Sequence, residues 1–137
     1  MYKHVVVGIA PDHRAGTETA KKVARLLAGR GKITLMTVVH DIPIVAEGYI
    51  DAGQIEQIRQ EVAEALEKEA AEIGAEAEVV IGHAGRTLVD RAEELGADCI
   101  IVASHRPGLT DYLLGSTAGY VARHAKCSVH VVRKGED

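Results

Sequence analysis

The sequence predicts an α/β domain: an open, mostly parallel sheet with helices on both faces. Three observations carry this reading. Five strand-length apolar runs alternate along the chain with four runs of helical spacing. Most of the strand-like runs are continuous rather than alternating, as in strands covered on both faces. Each connection between strands is long enough to hold a helix, which parallel pairing by right-handed crossovers requires. At 137 residues the chain is the size of one domain and is read as a single unit over residues 1–137.

The first strand is Lys3 to Ile9 (KHVVVGI), followed by a turn at Ala10-Pro11-Asp12-His13. Ala20, Val23, Ala24 and Leu27 then recur at helical spacing, and the helix ends at Gly29-Arg30-Gly31. Ile33 to Val39 (ITLMTVV) is the second strand, stopped by His40-Asp41-Ile42-Pro43. Pro43 to Gly53 reads as an irregular flap. Ile55, Ile58, Val62, Leu66, Ala70 and Ile73 form one stripe of a long helix whose other faces carry Glu and Lys. That acidic surface reads as a solvated face. Ala77 to Ile81 is a short third strand. Thr87 with Asp90 is a capping-box pattern that would open the next helix, through Leu88, Ala92 and Leu95, with Gly96 closing it. Cys99 to Ala103 is the fourth strand. Ser116 to Ala125 is a helix with Arg123 and His124 near its end, where cations suit the helix dipole. The fifth strand, Ser128 to Arg133 (SVHVVR), alternates more than the others, as an edge or interface strand does.

Composition removes several functions. A formal charge of −4, with neither Trp nor Phe, argues against nucleic-acid binding. No apolar run is long enough to cross a bilayer, and MYKHVVVGIA has no cleavable signal pattern. Cys99 and Cys127 lack metal-ligand spacing and read as reduced thiols of a cytoplasmic protein. The phosphate-binding GxxxxGK[ST], the dinucleotide GxGxxG, and the hydrolytic GxSxG and HExxH patterns are all missing. Ser104 beside His105 does not make a triad, because adjacent strand-end residues point apart and no acid is placed to orient the imidazole.

What remains lies between Ile100 and Thr117 (IIVASHRPGLTDYLLGST). A buried strand leads into a loop with a cation, and the chain re-enters order at Gly115-Ser116-Thr117, at the start of a helix. A helix start offers unpaired N–H groups and a positive dipole end, and the two hydroxyls add donors, so the arrangement suits phosphate. Ser116 serves equally as an ordinary N-cap. Arg106 can fork onto phosphate oxygens or pair with Asp111. Gly115 serves close backbone approach to a ligand or only the turn. Asp12 either bonds a ribose or caps the first helix. Four of the seven histidines, His13, His40, His83 and His105, fall just past strand ends. His40 and His105 are candidates to edge a cleft holding an anion or a phosphate-bridging divalent metal, whereas His13 and His83 read as ordinary turn residues.

The segment ADCIIVASHRPGLTDYLLGSTAGYVARHAKCSVHVVR resembles the C-terminal half of the universal stress protein family. TVVHD, the long acidic helix and the approach GADCIIVAS fit as well, so the resemblance covers the whole chain. SHRP, LLGS and RHAKCSVHVVR are most similar to its nucleotide-binding branch. That branch carries G-x2-G-x9-G-[ST] around the ribose and phosphates of ATP. Gly115 and Ser116 match its end and Thr117 follows, but Ala103 and Arg106 stand at the first two glycines and the spacer Pro107 to Leu114 is one residue shorter. The family's usual Asp at the end of strand 1 is replaced by Ala10, with Asp12 two residues on.

The resemblance implies a Rossmann-like, adenine nucleotide alpha hydrolase-like sheet of order 3-2-1-4-5 with the ligand at the carboxyl ends of strands 1, 2 and 4. It implies ATP or AMP as ligand, with Mg²⁺ able to bridge phosphates. Ser116, Thr117 and Arg106 would hold phosphates. Ala103, His105 and Gly115 would form the cradle, Val38 and Asp12 would lie near the adenosine, and Gly8 and Ala10 would close the strand 1 side. It further implies a homodimer through Val129–Val132, a role as stress-response regulator or sensor, and at most slow ATP hydrolysis or autophosphorylation. The alternative is a dimeric interaction module of the same fold that binds no nucleotide.

Overall fold

The computed structural model describes residues 1–11, 17–40, 52–104 and 115–133. Among these the chain runs β1 (His4–Gly8), α1 (Thr17–Ala28), β2 (Lys32–His40), α2 (Ala52–Glu72), β3 (Glu76–Gly82), α3 (Ala84–Glu94), β4 (Cys99–Ala103), α4 (Ser116–His124) and β5 (Ser128–Val132). The sheet order is β3-β2-β1-β4-β5 and the pairings are all parallel, as expected. β1 is central, with Val5 opposite both Ile33 and Cys99. The strand bounds fall within a residue of the sequence reading.

Continuous apolar strands make sense once both faces are seen to be covered. Val5, Val7, Leu35 and Ile101 face one core with Ala20 and Ala24 of α1 and Leu66 and Ala70 of α2. Val6, Met36, Ile100 and Val102 face the other, with Leu88 and Ala92 of α3 and Ala118 and Val121 of α4. The small Ala positions let α1 lie close on the sheet. Lys21 of α1 is buried, which its neighbour Lys22 gave no hint of. Its ammonium lies 2.7 Å from Glu18 and 3.5 Å from Glu69 of α2. Burial opposes the charge, but the bond to Glu18 and the field of Glu69 outweigh it, and the Lys21 pKa is raised.

Two readings of the sequence are corrected. Gly53, taken as the end of an irregular flap, is the second residue of α2; residues 41–51 lie outside the described residues. The Thr87–Asp90 pattern does not open α3. The helix starts at Ala84, and the cap is His83, whose Nδ1 accepts the Arg86 N–H at 3.3 Å. Thr87 is held instead against Gly82, where a Cβ would collide with the Thr87 hydroxyl and where φ is +159°. The helix end was read correctly: Gly96, at φ +72°, follows α3.

The amino ends of the strands are sealed by side chains. Asp98 accepts the N–H groups of Lys3 and His4, both at 3.0 Å, and the His4 ring lies 2.8 Å from the Thr34 hydroxyl in a buried pair. The N–H bonds from Lys3 and His4 hold the Asp98 carboxyl below its ordinary range. Both cysteines are free, and burial pushes the Cys99 thiol up to about 11, leaving it protonated and inert.

Candidate functional site

At the carboxyl ends of the strands the described residues leave a cleft. Parallel crossovers bring the starts of α1, α3 and α4 to this end, and a cleft of about 490 Å³ lies among them. Gly8, Ala10, Val38, Ala103, Gly115, Ser116 and Thr117, the expected site residues within the described segments, all line it. Asp12, His105 and Arg106 lie outside the described residues, as does His13. The cleft sits where the strand order reverses, between β1 and β4, the place where doubly wound sheets receive ligands.

Each lining group has a local cause. Gly8 ends β1, and a Cβ there would lie 2.8 Å from Leu88 Cδ2 and 3.3 Å from Val102 Cγ1. Packing against α3 and β4 therefore explains this glycine. Gly115 differs. It is the N-cap of α4 with φ −63° and ψ 162°, a conformation open to any residue, and the nearest atom to an added Cβ is the Ser104 carbonyl oxygen at 3.5 Å. Among the described residues nothing demands glycine there. It also leaves α4 with no side-chain cap, so Ser116 is not the capping residue. Ser116 is exposed and Thr117 half-buried at the cleft, and the N–H groups of the first helical turn have no intrahelical acceptor. Among the described residues, two hydroxyl-bearing side chains, the first-turn N–H groups and the positive end of the dipole occur together at the start of α4.

Ser104 also lines the cleft, but its hydroxyl donates to the Val132 carbonyl at 3.4 Å and its N–H to the same oxygen at 2.8 Å. It secures β5 to β4 and is not poised as a nucleophile. Among the described lining residues there is no Asp, Glu, Lys or Arg; the ionisable side chains are His40 and His83. Among the described residues no group of three or more His, Cys, Asp or Glu could hold a metal ion. The N–H groups, hydroxyls and dipole at the start of α4 suit an anion.

The sequence model of the universal stress protein family matches residues 1–133. The chain belongs to this family. It is 31% identical over 139 aligned positions to universal stress protein A homolog 2 of Coxiella burnetii, covering 96% of this chain and 95% of that one. It is 40% identical over 86 residues to universal stress protein Slr1101 of Synechocystis, 58% of this chain and 79% of that protein. Among solved structures, universal stress protein UspA from Lactobacillus plantarum superposes with a TM-score of 0.77 at 21% identity, over 96% of this chain and 98% of that one. A universal stress protein solved in complex with cAMP superposes at 0.65 and 26% identity, over 96% and 97%. One from Arabidopsis thaliana with AMP bound superposes at 0.59 and 20% identity, over 98% and 93%.

His83 is the lining residue that sequence reasoning passed over as a turn histidine. The signal was available in its place, directly after a strand-ending glycine and directly before a helix. His40 was correctly placed at a cleft edge, and its ring meets that of His83 edge-on with centroids 6.3 Å apart.

Proposed function

We propose that this cleft binds an adenine nucleotide and that the protein acts as a nucleotide-responsive regulator rather than as a fast enzyme. The observation that carries the reading is Gly115-Ser116-Thr117: a helix start without a side-chain cap, two hydroxyls at the cleft, and a glycine that none of the described residues requires. A phosphate supplies the missing partner for those N–H groups. In this reading Ser116 and Thr117 hold phosphates with Arg106. Ala103, His105 and Gly115 cradle them, Val38 and Asp12 flank the adenosine, and Gly8 and Ala10 form the β1 wall. With ATP as the ligand, Mg²⁺ would neutralise phosphate charge, and the described lining would offer it the Ser116 and Thr117 hydroxyls. The cAMP and AMP held by the structural neighbours support the ligand class. No helix among the described residues is long and apolar enough to cross a membrane. The two free cysteines suit a reducing compartment, and a cytoplasmic location is part of this proposal.

A second copy is proposed to cover β5, an edge strand whose Val129 and Val131 stay only partly buried. Calorimetric titration of nucleotide-stripped protein with ATP and AMP, with and without Mg²⁺, tests the site. Micromolar binding is expected, weakened at least tenfold in Ser116→Ala/Arg106→Ala by the loss of charge-assisted hydrogen bonds. No binding by the wild-type chain removes the nucleotide reading and leaves the dimeric interaction module, with Ala10 and Ala103 as the departures that close the site. Light scattering on the same sample reads the dimer: twice the 14.6 kDa chain mass supports it, and the single mass removes it.

A further inference from the structure

We propose that the outer surface of α1 and α2 is an interface for a second copy of this chain. A two-fold axis along the helices would lay the cationic α1 of each copy on the anionic α2 of the other. The surface lies away from the cleft and from β5, and the proposal rests on neither. The two helices cover one face of the sheet side by side: Ala20 and Ala24 of α1 share a core with Leu66 and Ala70 of α2, and Lys21 reaches Glu69 across the seam at 3.5 Å. Each helix follows a strand of the same parallel sheet, so both run in one direction and end level with the amino ends of the strands. Their solvent sides differ in sign. Lys22, Arg25 and, just past the helix, Arg30 are exposed on the α1 side. Glu64, Glu67 and Glu72 are exposed on α2, with Lys68 among them.

Among the described residues, neither the cations Lys22, Arg25 and Arg30 nor the carboxylates Glu64, Glu67 and Glu72 form an ion pair. Other charges nearby are engaged within the chain: Lys21 with Glu18 and Glu69, Lys32 with Glu76 at 3.4 Å, and Asp98 with two N–H groups. Cations late in α1 suit the helix dipole, but the dipole gives no reason for Leu26. This leucine is 81% exposed, beside Arg25 and four residues from both Lys22 and Arg30. An apolar centre with a charged rim is the composition of a contact surface. The occupant follows from sign, because the chain carries the complement of its own cations. An axis along the helices exchanges left and right, so α1 faces α2 and the late turns of both come level, and symmetry makes the pairing twice. An axis across the helices would lay α1 on α1 and like charge on like. Exposed ion pairs are weak singly and screened by salt, so the association draws on several at once and is salt-sensitive.

The test is a charge swap read by light scattering. At about 0.01 M salt, where screening reaches about 30 Å, concentrated wild type is expected to have at least about twice its mass at about 1 M, where screening reaches about 3 Å. Arg25→Glu/Arg30→Glu turns the α1 side anionic, and Glu67→Lys/Glu72→Lys turns the α2 side cationic. Each variant alone sets like on like and is expected to keep its high-salt mass at low salt. Mixed in equal amounts, the two are expected to regain the low-salt mass of the wild type, since every helix then faces its opposite. Thermal melts show that the variants are folded, and the α2 variant, whose lysines stand late in a helix and suit its dipole, reports independently of the α1 variant. The substitutions leave β5 untouched, so a dimer through that edge survives both salt and swap. A wild-type mass that does not change with salt overturns the proposal. A low-salt gain that survives either swap overturns it too, as does a mixture that fails to restore the gain.

Discussion

The two ends of the sheet are built on opposite plans. At the amino ends, the chain satisfies itself: Asp98 takes two N–H groups, His4 pairs with Thr34, and Gly31 lets β2 start against the Tyr2 and Lys3 carbonyls. At the carboxyl ends, α4 starts on a glycine with no cap, hydroxyls stand at the surface of a cleft, and the ionisable side chains among the described lining residues are imidazoles. The first plan spends polar groups on stability. The second leaves them for something else. The lesson is that a site is recognised by polar groups the fold places but does not use.

Substitutions at the two ends should therefore separate into stability effects and binding effects. The largest stability effect is expected from Gly31→Ala at the sealed end. Its Cβ would collide with the Tyr2 carbonyl oxygen and lie 2.9 Å from that of Lys3 and 3.0 Å from that of Ala28. These are backbone atoms that cannot swing aside, so a loss of about 2–3 kcal/mol in denaturant unfolding is expected. An unchanged midpoint would mean the β1–β2 start is plastic.

Asp98→Ala comes next, with about 1–2 kcal/mol lost as the Lys3 and His4 N–H groups lose their acceptor. Its pH dependence has a definite sign. The folded-state value is depressed, so the stabilisation is present above the unfolded carboxyl range near pH 4 and is lost as pH falls through the folded value. The gap between wild type and Asp98→Asn should narrow on acidification below about pH 4. A gap independent of pH would show that the carboxylate charge is not what seals this end.

The smallest stability effect is expected from Gly115→Ala at the open end, within about 0.5 kcal/mol, because the backbone there suits alanine and the nearest contact is at 3.5 Å. Nucleotide affinity, by contrast, should fall at least tenfold if that space belongs to the ligand. A stable variant with undiminished affinity would show that Gly115 is a glycine by accident.

Much of the fold was legible because strand runs and helical stripes differ in period, and VVVGI or CIIVA have little choice but a buried strand. Strand order was another matter. A strand covered on both faces carries no mark of its neighbours, so the place of β4 beside β1 came from family resemblance rather than from pattern. The helix starts were the weak point. Thr87 looked like a cap and is a first-turn residue, because a histidine, a rarer capping type, does the work at His83. The burial of Lys21 leaves no mark in the sequence, because spacing cannot show that Glu69 of another helix waits for it. At the site, Ser116 could be placed at a helix start but not cleared of the capping role. Only the backbone angles of Gly115 do that.

The central place of β1 has a consequence in time. One of its two neighbours, β4, comes from a distant part of the chain: Asp98, just before β4, holds the β1 backbone at His4 and is separated from it by 94 residues. Contacts of such separation form late, after loop-closure entropy has been met. A chain emerging from the ribosome thus has β1 and β2 long before it has β4, and α4 arrives after that. The cleft has no floor until β4 docks and no phosphate end until α4 follows. Any ligand bound there sees only the finished molecule, and so raises stability by mass action without templating the steps that lead to it.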